Sequence, residues 1–213
     1  MPDLSFKILG VEPANRGLVP LLHFKLGIEN QPPNETIQSV ILQTQIQIAA
    51  PQRVYAEAEK EKLLELFGTP DQWGQTLRNR LWTHANTIVP TFSGTTEALL
   101  SVPCSYDLNV AATKYFHALA DGEVPLLFLF SGTVFYAGED GRLQVQQINW
   151  NCESTFRLPI VRWQELMNFH YPNRTWLLLE HETFERLYEF KRRAGTTSWE
   201  QAIDKLLAGQ TPR

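Results

Sequence analysis

Two cysteines and five histidines are the side chains in this sequence best suited to hold a metal or to pair as nucleophile and base. None falls in the Cys-x-x-Cys, His-x-His or His-Glu-x-x-His spacings that put ligands on one turn or one helix face; His181-Glu182 lacks a second histidine four residues after the first. A metal site would therefore have to be assembled across the fold, and Cys104, His117 and Cys152 are the candidates for it. The same residues supply a thiol alternative, with Cys104, which follows Pro103, as nucleophile and His117 or His84 as its base. Ser93 and Ser131 precede glycines but lack the glycine two residues earlier that a nucleophile elbow needs. Gly132, Gly138 and Gly141 are scattered at turns and form no phosphate-cradling loop before a helix, so no nucleotide or other cofactor is expected. The carboxylate pairs Asp121/Glu123 and Glu139/Asp140 adjoin glycine, where turn chemistry accounts for them.

Without a catalytic constellation, recognition is the chemistry left, and large aromatic rings dominate it at protein interfaces. Of the six tryptophans, Trp163, Trp176 and Trp199 are expected to help seat a tail on the body. Trp73 and Trp82, with Arg78 and Arg80 at the rim, are the candidate contact residues for a protein partner. A net charge of -4 offers no reason to expect a nucleic acid, and the basic runs Arg78/Arg80 and Lys191/Arg192/Arg193 are short. The longest apolar run, Val124 to Phe130, is strand-sized, so no membrane span is expected. The start, Met1-Pro2-Asp3-Leu4, has neither a basic nor an apolar leader region, which makes the cytoplasm the expected location.

The elements that must position these residues are mostly strands. Leu22, Phe24, Leu26 and Ile28 share one face, and Leu42, Thr44, Ile46 and Ile48 alternate with Gln43, Gln45 and Gln47. Phe6 and Ile8 begin an earlier strand. From Tyr55 to Phe67 the period turns helical and Gly68 stops it, after which Thr69, Pro70 and Gln72 open a second short helix with Trp73, Leu77 and Leu81 on one stripe. Strand character returns at Trp82–Val89, Leu99–Val102, Leu108–Leu119 and Val124–Tyr136, and Gly138–Gly141 links the last of these to Leu143–Ile148 as a hairpin. The tail reads as a helix opened by Pro159, a short strand over Trp176–Leu179, a helix bearing Phe184, Leu187 and Tyr188, and a last helix capped by Thr197 or Ser198. Together these predict an α+β chain: an antiparallel β-sandwich, immunoglobulin-like, over residues 1–158 with a helical insertion at about 55–81, and a helical C-terminal subdomain over 159–213.

Two resemblances add to this reading. The stretch Arg174–Gly209, with Trp176-Leu177-Leu178-Leu179, the helix Glu182–Ala194 and Trp199–Leu207, resembles a ribbon–helix–helix module. That likeness implies a pairing of two copies and, as an alternative function, a DNA-binding regulator. Over nearly its whole length the chain is similar to an uncharacterised bacterial family with no assigned function. The matching segments include Trp73-Gly74, Leu81-Trp82-Thr83-His84, Val102-Pro103-Cys104-Ser105-Tyr106-Asp107, Tyr115-Phe116-His117-Ala118-Leu119 and Phe130–Tyr136. The resemblance implies an association with gene clusters for nickel–iron hydrogenases, and hence hydrogenase subunits or maturation factors as partners. The expected function is a non-catalytic accessory protein that binds another protein, with a metal- or thiol-dependent enzyme built on Cys104 and His117 as an alternative.

Overall fold

The computed structural model describes residues 1–14, 17–138 and 141–209. Strict alternation decides the first sheet. In β1 (Asp3–Pro13) the side chains of Leu4, Phe6 and Ile8 point inward, as do Leu22, Phe24, Leu26 and Ile28 of β2 (Leu21–Gln31). With β6 (Thr95–Pro103) these strands form an antiparallel sheet in the order β1-β2-β6. The second sheet is built around β3 (Thr36–Ile48), which has β4 (Arg80–Val89) on one side and β7 (Glu123–Ala137) on the other. The two-residue β5 (Phe92–Ser93) pairs with the start of β3. The far edge of β7 is shared by β8 (Leu143–Gln147) over its C-terminal half and β9 (Glu153–Pro159) over its N-terminal half.

The inner faces meet through aromatic rings. Phe6 stacks on Phe130 with centroids 4.6 Å apart, and Phe24 stands edge-on to Phe128 at 5.2 Å. The result is the α+β, two-sheet antiparallel sandwich that the alternation predicts. Gly132 is fixed by the closeness of β3 and β7: its φ is 139°, and a Cβ there would overlap the carbonyl oxygen of Ile41.

Side chains fasten the outer edge of β1 to the other sheet. Gln146 Nε2 donates to the Pro2 carbonyl (3.1 Å), the Cys152 thiol donates to the Leu4 carbonyl (3.4 Å), and the Ile8 N–H donates to Ser154 Oγ (3.2 Å). These bonds satisfy backbone groups that an edge strand otherwise leaves bare.

The helical insertion lies where the sequence places it, as three short pieces: α1 (Glu57–Lys62), α2 (Leu64–Phe67) and α3 (Trp73–Thr76). Gly68, with φ 72°, ends α2 as expected. Leu81 leaves the predicted stripe and is an exposed residue of β4.

Three expectations are corrected. The stretch 108–119 is not a strand; Ala111–Ala118 forms α4, because Ala112, Tyr115, Phe116 and Leu119 recur at helical spacing and all four are buried. The helix opened by Pro159, α5 (Ile160–His170), buries Ile160, Trp163, Leu166 and Met167 within the compact unit Met1–Trp176, so the division of the chain falls at residue 176 and not at 158. The predicted strand 176–179 is missing: Trp176 makes one parallel bridge to Asp107, and 177–180 carry no regular structure.

The second unit, Leu177–Arg213, contains α6 (His181–Arg193) and α7 (Trp199–Ala208). Within it Trp199 packs against Phe184 and Tyr188 at 5.5 and 6.1 Å, and Lys191 lies over the Trp199 ring. Ser198 caps α7 by accepting the Gln201 N–H (3.1 Å), as its sequence predicts.

Candidate functional site

Of the four residues expected to meet a partner, Trp73, Arg80 and Trp82 are half-buried and pack on the interior, and Arg78 is exposed. Trp73 is half-buried, its ring edge-on to Tyr55 (5.3 Å) and Phe67 (6.1 Å), and its indole N–H donates to the Gly68 carbonyl (3.0 Å). Trp82 packs edge-on to Phe116 (4.9 Å) and Phe24 (6.2 Å), which binds β4 to α4 across the core. Arg80 donates to the Leu66 carbonyl and its guanidinium lies 4.9 Å over the Phe67 ring. Only Arg78 of the four is exposed, with Nε donating to the carbonyl of Gln75. Arg80, the first residue of β4, reaches Leu66 and Phe67 of α2, and the rings that flank the insertion help to seal it.

A polar network holds the insertion from the other side. Arg53 and Glu59 form an ion pair of 2.9 Å whose side chains are only 9% and 5% exposed. Arg53 also donates from Nη1 to the Glu123 carbonyl (2.6 Å) and from Nη2 to the Asp121 carbonyl (2.8 Å). Glu59 accepts the N–H groups of Ala120 and Ala56, each at 3.1 Å. Beside it Tyr55 donates its hydroxyl to the Ala50 carbonyl (2.8 Å), so the 2.8 Å contact between the Tyr55 and Tyr115 hydroxyls must use the Tyr115 proton. Burial holds both phenols above their ordinary pKa of 10.0, which keeps them neutral donors. Asp121 and Glu123, a carboxylate pair in the sequence, contribute backbone oxygens here while their side chains face solvent. Glu139 and Asp140 lie outside the described residues.

The thiol and metal candidates are not gathered. Cys104 is buried beyond the end of β6, donates to the Val102 carbonyl, and is pushed up to about 12 by burial, which makes it a poor nucleophile near neutral pH. Cys152 bonds to β1, and both cysteines are free. His117 is exposed at the end of α4 with its ring 6.4 Å from that of Tyr106, and His84 is exposed on β4. Among the described residues no group of three or more His, Cys, Asp or Glu side chains could hold a metal ion.

The first sheet's outer face carries a trough of about 710 Å³, over which Leu9 lies across Gly27 between Lys7, Glu29, Thr95 and Glu97. Leu9 is the extra residue of a bulge between Ile8 and Gly10, and the neighbouring charges Lys25 and Glu97 satisfy one another at 2.8 Å.

The second sheet's outer face is more informative. The register sets Ile41 of β3 between Ile88 of β4 and Thr133 of β7, and Phe135 and Ala137 of β7 opposite Val145 and Leu143 of β8. Ile88, Leu143 and Val145 are 72%, 63% and 59% exposed. The path from β8 to β9 spends two more residues than β7 does opposite it, since Gln147 pairs with Thr133 and Glu153 with Leu129. The slack is taken up in a turn around Asn149, which closes with the Cys152 N–H donating to the Asn149 carbonyl. Trp150 stands on that turn, 91% exposed. Among the described residues β8 has a strand on one side only. The sequence signal for this face was the apolar run Val40-Ile41-Leu42, where strict alternation breaks, together with Leu143 and Val145 alternating with glutamines.

No helix among the described residues is long and apolar enough to cross a membrane. The ribbon of a ribbon–helix–helix module is also missing, since 177–180 form no strand. No curated protein matches the sequence. Among solved structures the chain is similar to the CARDB domain of a Pyrococcus furiosus protein, crystallised in complex with di-metal ions, at 13% identity over 74% of this chain and 92% of that one, with a TM-score of 0.29. A β-glucosidase from Kluyveromyces marxianus matches at 7% identity over 74% of this chain and 15% of that one, with a TM-score of 0.26. Beta-glucosidase 3B from Thermotoga neapolitana matches at 11% identity over 73% and 17%, again with a TM-score of 0.26. At such identities and scores these likenesses bear on neither ligand nor activity. The sequence pattern of DUF6084, a family of unknown function, matches residues 1–213, and the chain belongs to that family.

Proposed function

We propose that the protein is a non-catalytic accessory protein that binds another protein through the outer face and open edge of its second sheet. The observation that supports this most is the run of exposed apolar side chains Ile88, Ile41, Val145 and Leu143 beside a strand with one free edge, with Trp150 fully presented at its end. Exposed apolar side chains on β3, β4 and β8 beside an unpaired edge suit a partner that adds an extended segment to β8 and lays its side chains on this face. Trp150 supplies the large ring that such interfaces centre on. From the family resemblance, the partner is a subunit or maturation factor of a nickel–iron hydrogenase, and the complex forms in the cytoplasm.

The test is site-specific photocrosslinking in the organism that encodes the protein. A crosslinking amino acid at Val145 or Trp150 should trap one dominant protein, identified by mass spectrometry, and the same amino acid at exposed Glu97 on the other sheet should not. Identical products from both faces, or none from Val145 and Trp150, would refute this use of the face. A dominant product unrelated to hydrogenase assembly would keep the binding face and discard the proposed partner.

A further inference from the structure

We propose that the segment a partner adds to β8 carries two apolar residues, one opposite Leu143 and one opposite Val145, followed on the Trp150 side by an arginine. This deepens the reading of the partner face given above and rests on it. The register decides which residues of β8 are free to pair. The Ile148 N–H donates to the Gly132 carbonyl (2.9 Å), and the Gly138 N–H donates to the Arg142 carbonyl (2.8 Å). Hydrogen-bonded pairs alternate along an antiparallel ladder, so Gln144 and Gln146 also bond to β7, while Leu143, Val145 and Gln147 turn their N–H and C=O groups to the open edge. Residues of an added strand directly opposite Leu143 and Val145 point to the same outer face as those two side chains, so apolar residues suit both positions. The residues between them point the other way, towards the first sheet.

Charge indicates what enters on that side. A trough of about 590 Å³ lies between the start of β1 and the end of β8, with Pro2, Asp3, Val134, Gln146, Asn149 and Trp150 among its walls. Asp3 is the one ionised side chain in its lining, and it makes no ion pair among the described residues. The Met1 ammonium beside it is matched by Glu35 at 3.3 Å, so the trough offers a carboxylate without a cation. At its rim stands the exposed Trp150 ring. Arginine answers both features, because its planar guanidinium stacks on an aromatic face and meets a carboxylate through a rigid fork of N–H donors. The side chain opposite Gln146 is the one that points into the trough, since Gln146 forms part of its wall. The recognised pattern is therefore apolar-x-apolar-Arg in a parallel strand and Arg-apolar-x-apolar in an antiparallel one.

The experiment is a titration of the full chain, followed by amide NMR, with acetyl-Thr-Val-Thr-Val-Arg-Thr-amide and acetyl-Thr-Arg-Val-Thr-Val-Thr-amide, which present the pattern in the two senses. One of them should bind at about 0.1–1 mM, shift the amide signals of Leu143, Val145 and Gln147, and slow their exchange with solvent. Its citrulline version, of equal shape and without the charge, should bind roughly threefold or more weakly, and so should the arginine peptide to Asp3→Asn or Trp150→Ala. Both substitutions are at exposed residues, and unchanged signals elsewhere report an intact fold. Equal affinity of the arginine and citrulline peptides, indifference to either substitution, or no binding by either arginine peptide would each overturn the proposal. The Val145 crosslink is formed with the partner itself, so these failures leave the proposed partner face standing.

Discussion

Replacing Glu59 with alanine should remove a large part of the stability of the body. Glu59 is 5% exposed and accepts three hydrogen bonds, from Arg53, Ala120 and Ala56. Alanine would leave the Arg53 guanidinium in place, 9% exposed, with the carbonyls of Asp121 and Glu123 but no counter-charge, and would strip an acceptor from two backbone N–H groups. Removing one member of a buried ion pair costs about 3–5 kcal/mol, mostly from the charge left behind. At about 2–4 °C per kcal/mol for a chain of this size, the melting temperature should drop by roughly 6–20 °C. The measurement is thermal and urea unfolding followed by tryptophan fluorescence, for which the buried Trp163 and half-buried Trp82 are internal reporters of the body. A double-mutant cycle with Arg53→Met and Glu59→Met separates the pair from its surroundings. The double variant should be less destabilised than the sum of the singles by at least about 1 kcal/mol, since it leaves no orphaned charge. A Glu59→Ala cost below about 1 kcal/mol, or additive singles, would show that the pair does not hold the insertion to the 120–123 loop.

Gly132→Ala should cost about 2–4 kcal/mol in the same assay, because the new methyl meets the Ile41 carbonyl at a φ of 139°, whereas Gly141→Ala, with open space around it, should cost about 1 kcal/mol from its positive φ alone. Stability should fall as the pH rises from 9 towards 12: Cys104 has a folded pKa near 12 against an ordinary 9.0, so the folded state keeps its proton more tightly, and the advantage is complete below 9 and lost progressively as the pH rises to 12. The raised phenols Tyr55 and Tyr115 act in the same direction, and a Cys104→Ala variant should show a shallower alkaline slope in pH-dependent melting. Ser198→Ala removes the cap of α7 and should cost about 1 kcal/mol, read as lost helix signal at 222 nm on mild heating.

Alternation is a local property, and where one face of a strand is wet it was readable: the burial of Leu42, Thr44, Ile46 and Ile48 follows their sequence spacing residue by residue. It misled at 108–119, because α4 is covered on several sides and its apolar residues are dense enough to look continuous; the spacing of Ala112, Tyr115, Phe116 and Leu119 was the better guide. Leu177 to Leu179 had strand-like composition but no neighbour to pair with, and composition alone makes no ladder. Trp73 and Trp82 could be named as important rings, but whether a ring faces in or out depends on what lies over it, here residues as distant as Phe116. The Arg53–Glu59 network was out of reach because its other members are backbone carbonyls some seventy residues on, which leave no mark in side-chain identity. The apolar outer face escaped notice because it emerges only when β3, β4, β7 and β8 are laid side by side.

The central place of β3 also has a consequence for how the chain is made. Its two neighbours are β4 and β7, and β7 begins to pair with it at Leu126, about eighty residues after Ile48. At roughly 5–20 residues per second the ribosome needs about 4–16 s to supply that partner. For that interval β3 can pair only with β4 and the short β5, and its other edge stays open. Contacts this distant in sequence close slowly even in a finished chain. The nascent protein therefore passes through a half-sheet whose open edge is the one later occupied by β7, and chaperone demand during synthesis should track the delay between these two strands more than the stability of the finished fold.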